Sequence, residues 1–422
     1  MKSLDANPAS DAGKRALRVL YICYLSLEDP LVHSQVVAYL AGLAERGHAV
    51  HLLTFEPRLE RARRRQIEDD LGRGGIRWHS LRYHKRPSLP ATAFDVFAGA
   101  LAAARLVRRH RLDAIHARNH VPAAMAMLAS RLSPCRTIFD LRGLMAEEYA
   151  DAGHWRRGGV PYRLTQWVQR AGLRRADGVV TLTEAVLPHL SETGAGPDAT
   201  FVIPCCADVE RIAERSSERA DARAELEIGE RPTMVYVGKF TGWYLEREMA
   251  DFAAAARRSA PDLLFLIVTQ ADPAPMLSEL DRQGIGPEDY RVLRAEHGEI
   301  GRYLAAADVG LSFVRPCFSK ISSSPTKIGE YLAAGLPVVS TAGIGDVDAL
   351  LRDNRVGALV EDFSEHAYGA AAAAIEALRE EPATRERCQT TARQRLSLRE
   401  VGIPRYDALY RRVAASRSLP AR

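Results

Sequence analysis

Short apolar runs alternate with longer amphipathic stretches along almost the whole chain. The run RVLYICY (18–24) is typical of a buried strand. The stretch LVHSQVVAYLAGLAERG (31–47) has the apolar spacing of an amphipathic helix that ends at Gly47. Strands that alternate with helices of this length indicate βαβ units and a parallel sheet.

The strands fall into two series, separated by the polar stretch 205–232. The predicted strands of the first series are 18–24, 48–55, 75–80, 112–118, 136–140, 178–183 and 200–204. Those of the second series are 233–238, 263–269, 290–295, 309–314, 336–341 and 356–361. We therefore predict an α/β protein with two doubly wound, Rossmann-like parallel-sheet domains, which face a cleft at the carboxyl ends of their strands.

The domain boundaries follow from the same pattern. We assign residues 17–204 to an N-terminal domain and residues 205–403 to a C-terminal domain. A helix at about 404–422 is expected to pack back on the N-terminal domain. Residues 1–16 are predicted to form a disordered tail, and they lack the apolar core of a secretory signal.

Composition indicates a soluble globular protein, because 47% of the 422 residues are hydrophobic and 26% are charged. No uninterrupted apolar run is long enough to cross a bilayer. The longest candidate, at 93–107, contains Asp95 and is predicted to be a buried helix. The six cysteines show no CxxC pair and no metal-type spacing, which favours a reducing compartment. We therefore expect a cytoplasmic location.

The net charge of +5 is small, but basic residues cluster at 58–65, 105–111 and 163–175. Anionic lipid headgroups on the inner face of the plasma membrane could bind such a surface, which allows a peripheral membrane contact. Solvated helix faces explain the same clusters equally well. No nucleic-acid recognition motif accompanies the charge, so we expect no nucleic-acid partner.

The segment SSSPTKIGEYLAAG (322–335) predicts a helix that begins at one edge of the second sheet. Ser324 is a favourable N-cap, Pro325 suits the first helical position, and Gly335 ends the helix. The helix follows the strand 309–314, so its N-terminus points into the predicted cleft. Free N–H groups and the helix dipole make such a terminus a site for phosphate.

The residues around this helix start suit a nucleoside diphosphate. Glu330 lies where its carboxylate can accept hydrogen bonds from a ribose diol. The predicted phosphate contacts are the hydroxyls and lysines around the turn, namely Lys320, Ser322, Ser323, Ser324, Thr326 and Lys327. An ordinary strand–turn–helix explains the cap and the proline, but it does not explain the lysines, the extra hydroxyls and the carboxylate together.

These segments together resemble family 4 glycosyltransferases, which are retaining enzymes of GT-B fold. The resemblance is carried by SSSPTKIGEYLAAGLPVVS (322–340), GHAVHLLT (47–54), FDLRGLMAEEYADAGHW (139–155), ADGVVTLTEAV (176–186), VIPCCAD (202–208), YVGKFTGWY (236–244) and GIGDVDALL (343–351). It implies GT-B architecture, a nucleotide-sugar donor as co-substrate and no further cofactor. Glu330 matches the second glutamate of the family's paired motif. The first glutamate falls on Ser322, a departure shared with the branch that has an SSPTK-type motif.

The resemblance also implies a basic residue on the diphosphate after the strand 233–238. Lys239, which follows Gly238, matches that position. The family's second lysine is absent, and Trp243 and Tyr244 stand in its place. We expect Lys320 or Lys327 to supply the missing charge.

The acceptor side is expected at strand ends of the N-terminal domain. Asp140 and Arg142 fall where the resemblance places residues near the reacting sugar, so they are candidate catalytic residues with Lys239 and Lys320. The candidate acceptor-side residues are His33, Ser34, Gln35, His116 and Arg118. His116 and His120 have no further metal ligands in the pattern, so we interpret them as ordinary turn residues.

The sequence Asp346-Val347-Asp348 matches the DxD pattern of metal-dependent glycosyltransferases of another fold. Two acids in the first turn of a helix are explained by capping and the helix dipole. We therefore expect no metal site at this motif.

These features predict a retaining, metal-independent glycosyltransferase that moves a sugar from a nucleotide-diphosphate donor to a hydroxyl of a saccharide or lipid-linked acceptor, in surface polysaccharide or lipopolysaccharide synthesis. Two alternatives stay open. One is a GT-B-fold sugar-nucleotide epimerase, which needs no acceptor. The other is a non-catalytic nucleotide-sugar-binding scaffold, which the missing first glutamate favours.

Overall fold

The computed structural model describes residues 16–416 except 85, 87, 197, 198, 241, 296 and 297. The predicted N-terminal tail, apart from Ala16, lies outside the described residues, as do the last six positions of the predicted terminal helix.

The first half of the chain forms a parallel seven-stranded sheet in the order β3-β2-β1-β4-β5-β6-β7. Its strands are β1 (Arg18–Cys23), β2 (Ala49–Glu56), β3 (Ile76–Arg82), β4 (Ala114–Arg118), β5 (Arg136–Asp140), β6 (Gly178–Thr181) and β7 (Thr200–Val202). Its helices are α1 (Pro30–Val32), α2 (Ala38–Glu45), α3 (Arg61–Arg73), α4 (Ser88–His110), α5 (His120–Leu132), α6 (Met145–Asp151), α7 (Val160–Arg175) and α8 (Leu187–Thr193). A π-helical turn over His33–Val37 joins α1 to α2.

The second half forms a parallel six-stranded sheet in the order β10-β9-β8-β11-β12-β13. Its strands are β8 (Thr233–Val237), β9 (Leu264–Val268), β10 (Tyr290–Leu293), β11 (Val309–Ser312), β12 (Val338–Thr341) and β13 (Gly357–Val360). The helices from the connection onwards are α9 (Val209–Glu214), α10 (Arg219–Glu225), α11 (Glu246–Ser259), α12 (Ala274–Arg282), α13 (Ile300–Ala306), α14 (Thr326–Ala333), α15 (Val347–Asp353), α16 (Glu365–Glu380), α17 (Thr384–Leu396) and α18 (Ile403–Ala415).

The predicted fold class is confirmed. Every predicted strand is present, with end points that differ by at most two residues. Helices cover both faces of each sheet, so the apolar strands are buried on both sides. The arrangement is a GT-B architecture. All six cysteines lie in the described part of the chain and are free thiols.

Helix α18 returns to the first sheet. Leu409 and Val413 lie in the same core as Val19 of β1. The Tyr410 hydroxyl is 2.8 Å from Nδ1 of His116 on β4, so α18 also forms a polar contact with this sheet.

Helix α4 differs from its prediction. It is longer than the predicted segment, and only its inner side is buried: at Gly99 an added Cβ would lie 2.6 Å from the Met125 sulfur. Its outer side exposes Leu89, Phe94, Phe97 and Leu101. Among the described helices, α4 is the one long and apolar enough to cross a membrane, although 39% of its apolar window is buried inside the protein. The apolar run therefore has one buried face and one exposed face, and the sequence pattern did not distinguish them.

Candidate functional site

The cleft between the two sheets contains a cavity of about 190 Å³ that both halves of the chain line. Thr326 and Glu330 of α14 form one wall, and Asp208 and Arg211 at α9 form another. His33 and Ser34 reach the same cavity from the N-terminal domain. The cavity therefore brings together the predicted ribose carboxylate and two of the predicted acceptor-side residues.

The start of α14 differs from the prediction in one respect. The helix begins at Thr326, and Pro325 occupies the cap position with ψ 115°, so no side chain caps the helix. The predicted cap, Ser324, instead accepts a hydrogen bond from the backbone N–H of Cys205 at 3.1 Å. Its hydroxyl joins the second domain to the connection between the domains.

Lys327 is the most unusual side chain of the site. It is 7% exposed, and its ammonium lies 4.2 Å from the ring centre of Tyr236 and 4.1 Å from that of Tyr244. No atom in the described part of the chain accepts a hydrogen bond from it. Its Nζ would be 3.0 Å from a Cβ added at Gly238, so it lies directly beside the turn after β8.

The charges of Lys327 and Glu330 are coupled. Burial lowers the pKa of Lys327 to about 7, although the nearby Glu330 opposes this shift. Burial likewise raises the pKa of Glu330, which Lys327 and Arg211 counteract. Desolvation therefore disfavours the charged form of both side chains, and Glu330 lines the cavity.

Lys320 is also held by an aromatic ring. Its ammonium lies 3.8 Å from the ring centre of Trp243 and 3.4 Å from a carboxylate oxygen of Glu148, which belongs to α6 of the N-terminal domain. The side chain is 6% exposed. Its positive charge thus lies between the two domains.

The turn before α14 forms hydrogen bonds across the cleft. The Ser322 hydroxyl donates to the carbonyl of Ser319 at 2.8 Å and accepts from the backbone N–H of Leu144 at 3.2 Å. Thr183 of the N-terminal domain donates to the carbonyl of Ile321 at 2.7 Å. We expected Ser322 to contact the donor, but these two bonds occupy its hydroxyl. Ser323 follows in the same turn and is half-buried.

Lys239 and Gly238 lie at the carboxyl end of β8, as predicted from the sequence. Gly238 has a φ of +148°, which side chains rarely allow. The Tyr236 hydroxyl donates to the carbonyl of Lys239 at 3.1 Å, which fixes the turn, while the Lys239 side chain is exposed. The exposed Lys239 therefore follows, in the chain, the same glycine that the buried Lys327 ammonium lies beside.

The predicted role of Asp140 and Arg142 near the reacting sugar stays a prediction, and the structure shows both side chains buried. Asp140 is 0% exposed and accepts hydrogen bonds from the hydroxyls of Tyr21 at 3.3 Å and Tyr406 at 3.1 Å. The side chain of Arg142, 7% exposed, lies 3.7 Å from Asp140 and donates to the Cys205 sulfur at 3.1 Å. Tyr406 of α18 thus covers Asp140, and the Arg142 side chain is as buried as those of Lys327 and Glu330.

Asp140 remains charged despite its burial. Desolvation would raise its pKa, but Arg142, His116 and Arg118 outweigh it and lower the pKa to about 2. His116 lies 3.5 Å from the same carboxylate and Arg118 lies 4.0 Å from it. Four candidate residues thus form one buried ionic cluster below the cleft.

The other acceptor-side candidates separate into two groups. Gln35 is buried and accepts from Arg142 at 3.3 Å, so it belongs to the ionic cluster. His33 and Ser34 lie at the cavity instead. We interpreted His116 and His120 as turn residues, but His116 lies in β4 and His120 is the first residue of α5, where its ring is 3.0 Å from the Gln169 side-chain oxygen.

The two acids of the DxD pattern bind backbone groups. The Asp346 carboxylate accepts from the N–H groups of Glu184 at 2.7 Å and Ala185 at 2.9 Å, across the domain boundary. Asp348 accepts from the N–H of Gly343 at 3.0 Å. The expected explanation by capping was wrong for Asp346, because its side chain connects the domains and does not cap α15.

Sequence reasoning missed the side chains that hold the two lysines and the ribose carboxylate. They are Glu148, Arg211, Tyr236, Trp243 and Tyr244. The one signal was the pair Trp243-Tyr244, which we noted only as a replacement for a lysine. Both rings instead contact lysines from the turn before α14 and from α14 itself.

Comparison with known families identifies both halves of the chain. Residues 32–206 match the family described as "Glycosyl transferase 4-like domain". Residues 231–380 match the family described as "Glycosyl transferases group 1". The first match contains strands β2 to β7 of the first sheet, and the second match contains all six strands of the second sheet.

Two curated proteins are similar over part of their length. Alpha-maltose-1-phosphate synthase from Mycolicibacterium smegmatis is 28% identical over 217 residues, which cover 48% of this chain and 53% of that protein. Alpha-D-kanosaminyltransferase from Streptomyces kanamyceticus is 22% identical over 231 residues, which cover 54% of this chain and 58% of that protein. The chain thus spans little more than half the length of these relatives.

A solved structure covers nearly the whole chain. Anabaena Alr3699/HepE in complex with UDP and glucose has a TM-score of 0.66 at 16% identity, over 93% of this chain and 99% of that one. At this identity the similarity concerns the fold.

Proposed function

This chain belongs to the GT-B glycosyltransferases of the family 4 type, and from that membership we propose that it transfers a sugar from a nucleotide-diphosphate donor to an acceptor hydroxyl. The proposal includes retention at the anomeric carbon and catalysis that needs no metal. We also propose that the chain belongs to the branch with the SSPTK-type donor motif, because its turn has Ser322 in place of the first glutamate.

The buried ammonium of Lys327 carries this proposal. Its pKa of about 7 corresponds to a penalty of about 5 kcal/mol against the charged form, relative to its ordinary value. Cation–π contacts contribute about 2 kcal/mol each when desolvated, so Tyr236 and Tyr244 offset much of that penalty but provide no hydrogen-bond acceptor or negative charge. A diphosphate beside Gly238 would supply the missing negative charge and the missing hydrogen-bond acceptors.

The nucleoside would occupy the cavity at Glu330. A ribose diol can donate two hydrogen bonds to this carboxylate, and Arg211 keeps negative charge favourable there. HepE, which has the same fold, was crystallised with UDP, and we take UDP as the first nucleotide to test.

Catalysis would come from positive charge at the leaving diphosphate. Lys239 follows Gly238 in the chain, the Lys327 ammonium lies beside Gly238, and Lys320 packs on the ring of Trp243. Preorganised charges at a developing anion are commonly the largest catalytic term. The cluster around Asp140 and Arg142 would act as positioning residues that fix the floor of the cleft, because both are covered.

The acceptor is proposed to be a saccharide or a lipid-linked saccharide, approached from a membrane surface on its cytoplasmic side. Helices α4, α5 and α7 lie in one layer on the first sheet. That layer exposes Phe97 on α4 and Trp167 on α7. Exposed Arg163, Arg170 and Arg174 accompany Trp167 on α7. Apolar side chains beside arginines suit an interface with anionic lipid.

The test is a screen of nucleotide sugars by thermal shift, followed by mass spectrometry of products formed from the best donor and a lipid extract. A new glycolipid whose mass increases by the donor sugar is expected. An epimerised sugar formed from donor alone would favour the epimerase instead. Donor binding with no product on any acceptor would favour the scaffold, which the loss of the first glutamate supports.

A further inference from the structure

Three histidines meet at the edge of the first sheet, far from the cleft. His51 is on β2, His79 is on the edge strand β3, and His110 ends α4. One ring nitrogen of each lies within 4.8 Å of those of the other two. In the described part of the chain, no other group of three histidine, cysteine or acidic side chains comes so close.

The arrangement follows from the topology. His51 and His79 lie on neighbouring parallel strands, and both side chains point to the face that α4 covers. His110 is the last residue of α4, which runs antiparallel to the strands and so ends near their amino ends. The carboxyl ends of the strands form the cleft, so the three histidines lie at the opposite end of the sheet.

The distances are close to those of a metal site. His51 Nδ1 is 3.0 Å from His79 Nε2, and the ring centres of His51 and His110 are 4.6 Å apart. Two nitrogens on one tetrahedral Zn²⁺ are about 3.3 Å apart, given Zn–N bonds of about 2.0–2.1 Å. Small rotations of the half-buried His79 and His110 would bring all three nitrogens to one ion.

From this geometry we infer that His51, His79 and His110 bind a divalent transition-metal ion, with Zn²⁺ as the preferred ion. Imidazole suits Zn²⁺, Ni²⁺ and Cu²⁺, whereas Mg²⁺ and Ca²⁺ prefer oxygen ligands. Because His79 and His110 are partly exposed, the fourth ligand would come from solvent. The bound ion would tie the edge strand β3 to the end of α4.

The surroundings are compatible with metal binding, but they limit its strength. Burial and neighbouring positive charges lower the pKa of His51 and of His79 to about 4, so both are neutral at pH 7, the form that binds metal. Arg77 lies 3.5 Å from His110, and Arg109 also acts on His79. The positive charges of Arg77 and Arg109 weaken the binding of a divalent cation and favour an anion or hydroxide as its fourth ligand.

The site is separate from the proposed catalysis, so its test does not use turnover. Tag-free, metal-free protein is titrated with Zn²⁺ in competition with a chromophoric chelator, and with Co²⁺, whose visible absorption reports tetrahedral coordination. We expect one ion per chain, a tetrahedral Co²⁺ spectrum and a higher midpoint of thermal unfolding with Zn²⁺.

Variants identify the ligands. His110→Ala and His79→Gln should each weaken Zn²⁺ binding by about tenfold or more, the scale of lost metal-site contacts, and should remove the Co²⁺ spectrum. His366→Ala, which changes an exposed histidine on α16, is the matched control and should bind like the wild type. Two partly exposed positions are used so that one misfolded variant does not decide the result. Wild-type protein with no saturable site, or a His110→Ala variant that binds Zn²⁺ as tightly as the wild type, would overturn the inference.

Discussion

The ammonium of Lys327 lies 4.1 Å from the ring centre of Tyr244, at the place in the chain where the resemblance led us to expect a second lysine. The buried ammonium beside the turn after β8 thus comes from α14. Its Nζ would be 3.0 Å from a Cβ added at Gly238, so it lies beside the glycine that precedes Lys239. Trp243, the other aromatic residue at this place in the chain, contacts the ammonium of Lys320.

Replacing Lys327 by Met should weaken UDP binding by about 10- to 100-fold, because hydrogen bonds to charged groups contribute about 1.5–3 kcal/mol. Binding of uridine, which lacks the phosphates, should change little. Isothermal titration calorimetry with both ligands measures the difference. Equal losses for uridine and UDP would mean that the lysine supports the fold of the cavity and not the diphosphate.

Because the pKa of Lys327 is about 7, its interaction with a diphosphate should depend on pH. A diphosphate favours the ammonium, so the pKa of Lys327 rises on binding, and binding takes up a proton above pH 7. Affinity should therefore fall as pH rises from 7.5 to 9.5, by up to about tenfold per unit. Calorimetry at pH 8 in two buffers of different ionisation enthalpy measures the uptake, which Lys327→Met should lose. No proton uptake by the wild type would remove the diphosphate role of this lysine.

Replacing Glu330 by Ala should remove the thermal protection that UDP gives, because the ribose loses its acceptor. Protection by inorganic pyrophosphate should persist, since the phosphate contacts remain. Glu386→Ala, on an exposed position of α17, is the control and should behave like the wild type. If UDP still protects the Glu330→Ala protein fully, the ribose lies elsewhere.

The sequence predicted the two sheets because their strands are buried on both faces. Runs such as VLYICY (19–24) are apolar throughout, and parallel strands of this kind give a continuous apolar signal in the sequence. The same property explains the error at α4. An apolar run does not reveal which of its sides has a partner, and here Phe94, Phe97 and Leu101 face outwards.

The site was predictable where its residues lie in one segment and was missed where they do not. Thr326, Lys327 and Glu330 are local to α14 and appear in one motif. The contacts of Lys327 with Tyr236, and of Lys320 with Glu148, join distant segments through tertiary packing. The burial of Asp140 could not be predicted for the same reason, because the residue that covers it, Tyr406, belongs to the last helix.

Replacing Lys239 by Ala should lower kcat by about 100-fold with little change in KM, because one charge at the leaving group is lost. The side chain is exposed, so the midpoint of thermal unfolding should not change. Lys239→Arg should restore part of the rate. Steady-state kinetics with the identified donor measures this, and a Lys239→Ala enzyme with wild-type turnover would refute the role.

Chelation should leave turnover intact. The carboxylates of Asp346 and Asp348 already accept backbone N–H groups, so they are not disposed to bind a cation. Wild-type enzyme in excess EDTA should keep its kcat, and so should His110→Ala, even if both lose the stabilising ion at the sheet edge. A loss of turnover that Mn²⁺ restores, and that Asp348→Asn reproduces, would contradict this expectation.

Replacing Trp167 by Glu should abolish binding to vesicles that contain anionic lipid. Val160, Leu164 and Trp167 are 74%, 55% and 54% exposed and recur at helical spacing along α7, so one apolar stripe would enter the interface. The neighbouring arginines each contribute about 1 kcal/mol near such a surface, and salt screens them, so binding should weaken at high ionic strength.

Phe363→Glu is the matched control, because Phe363 is similarly exposed at 44% but belongs to the second domain. Vesicle co-sedimentation measures the effect, with thermal unfolding to show that both variants fold. Since the acceptor is proposed to be lipid-linked, Trp167→Glu should also slow transfer to acceptor in vesicles while leaving donor binding unchanged. Equal sedimentation of both variants would show that the α7 stripe does not contact the membrane.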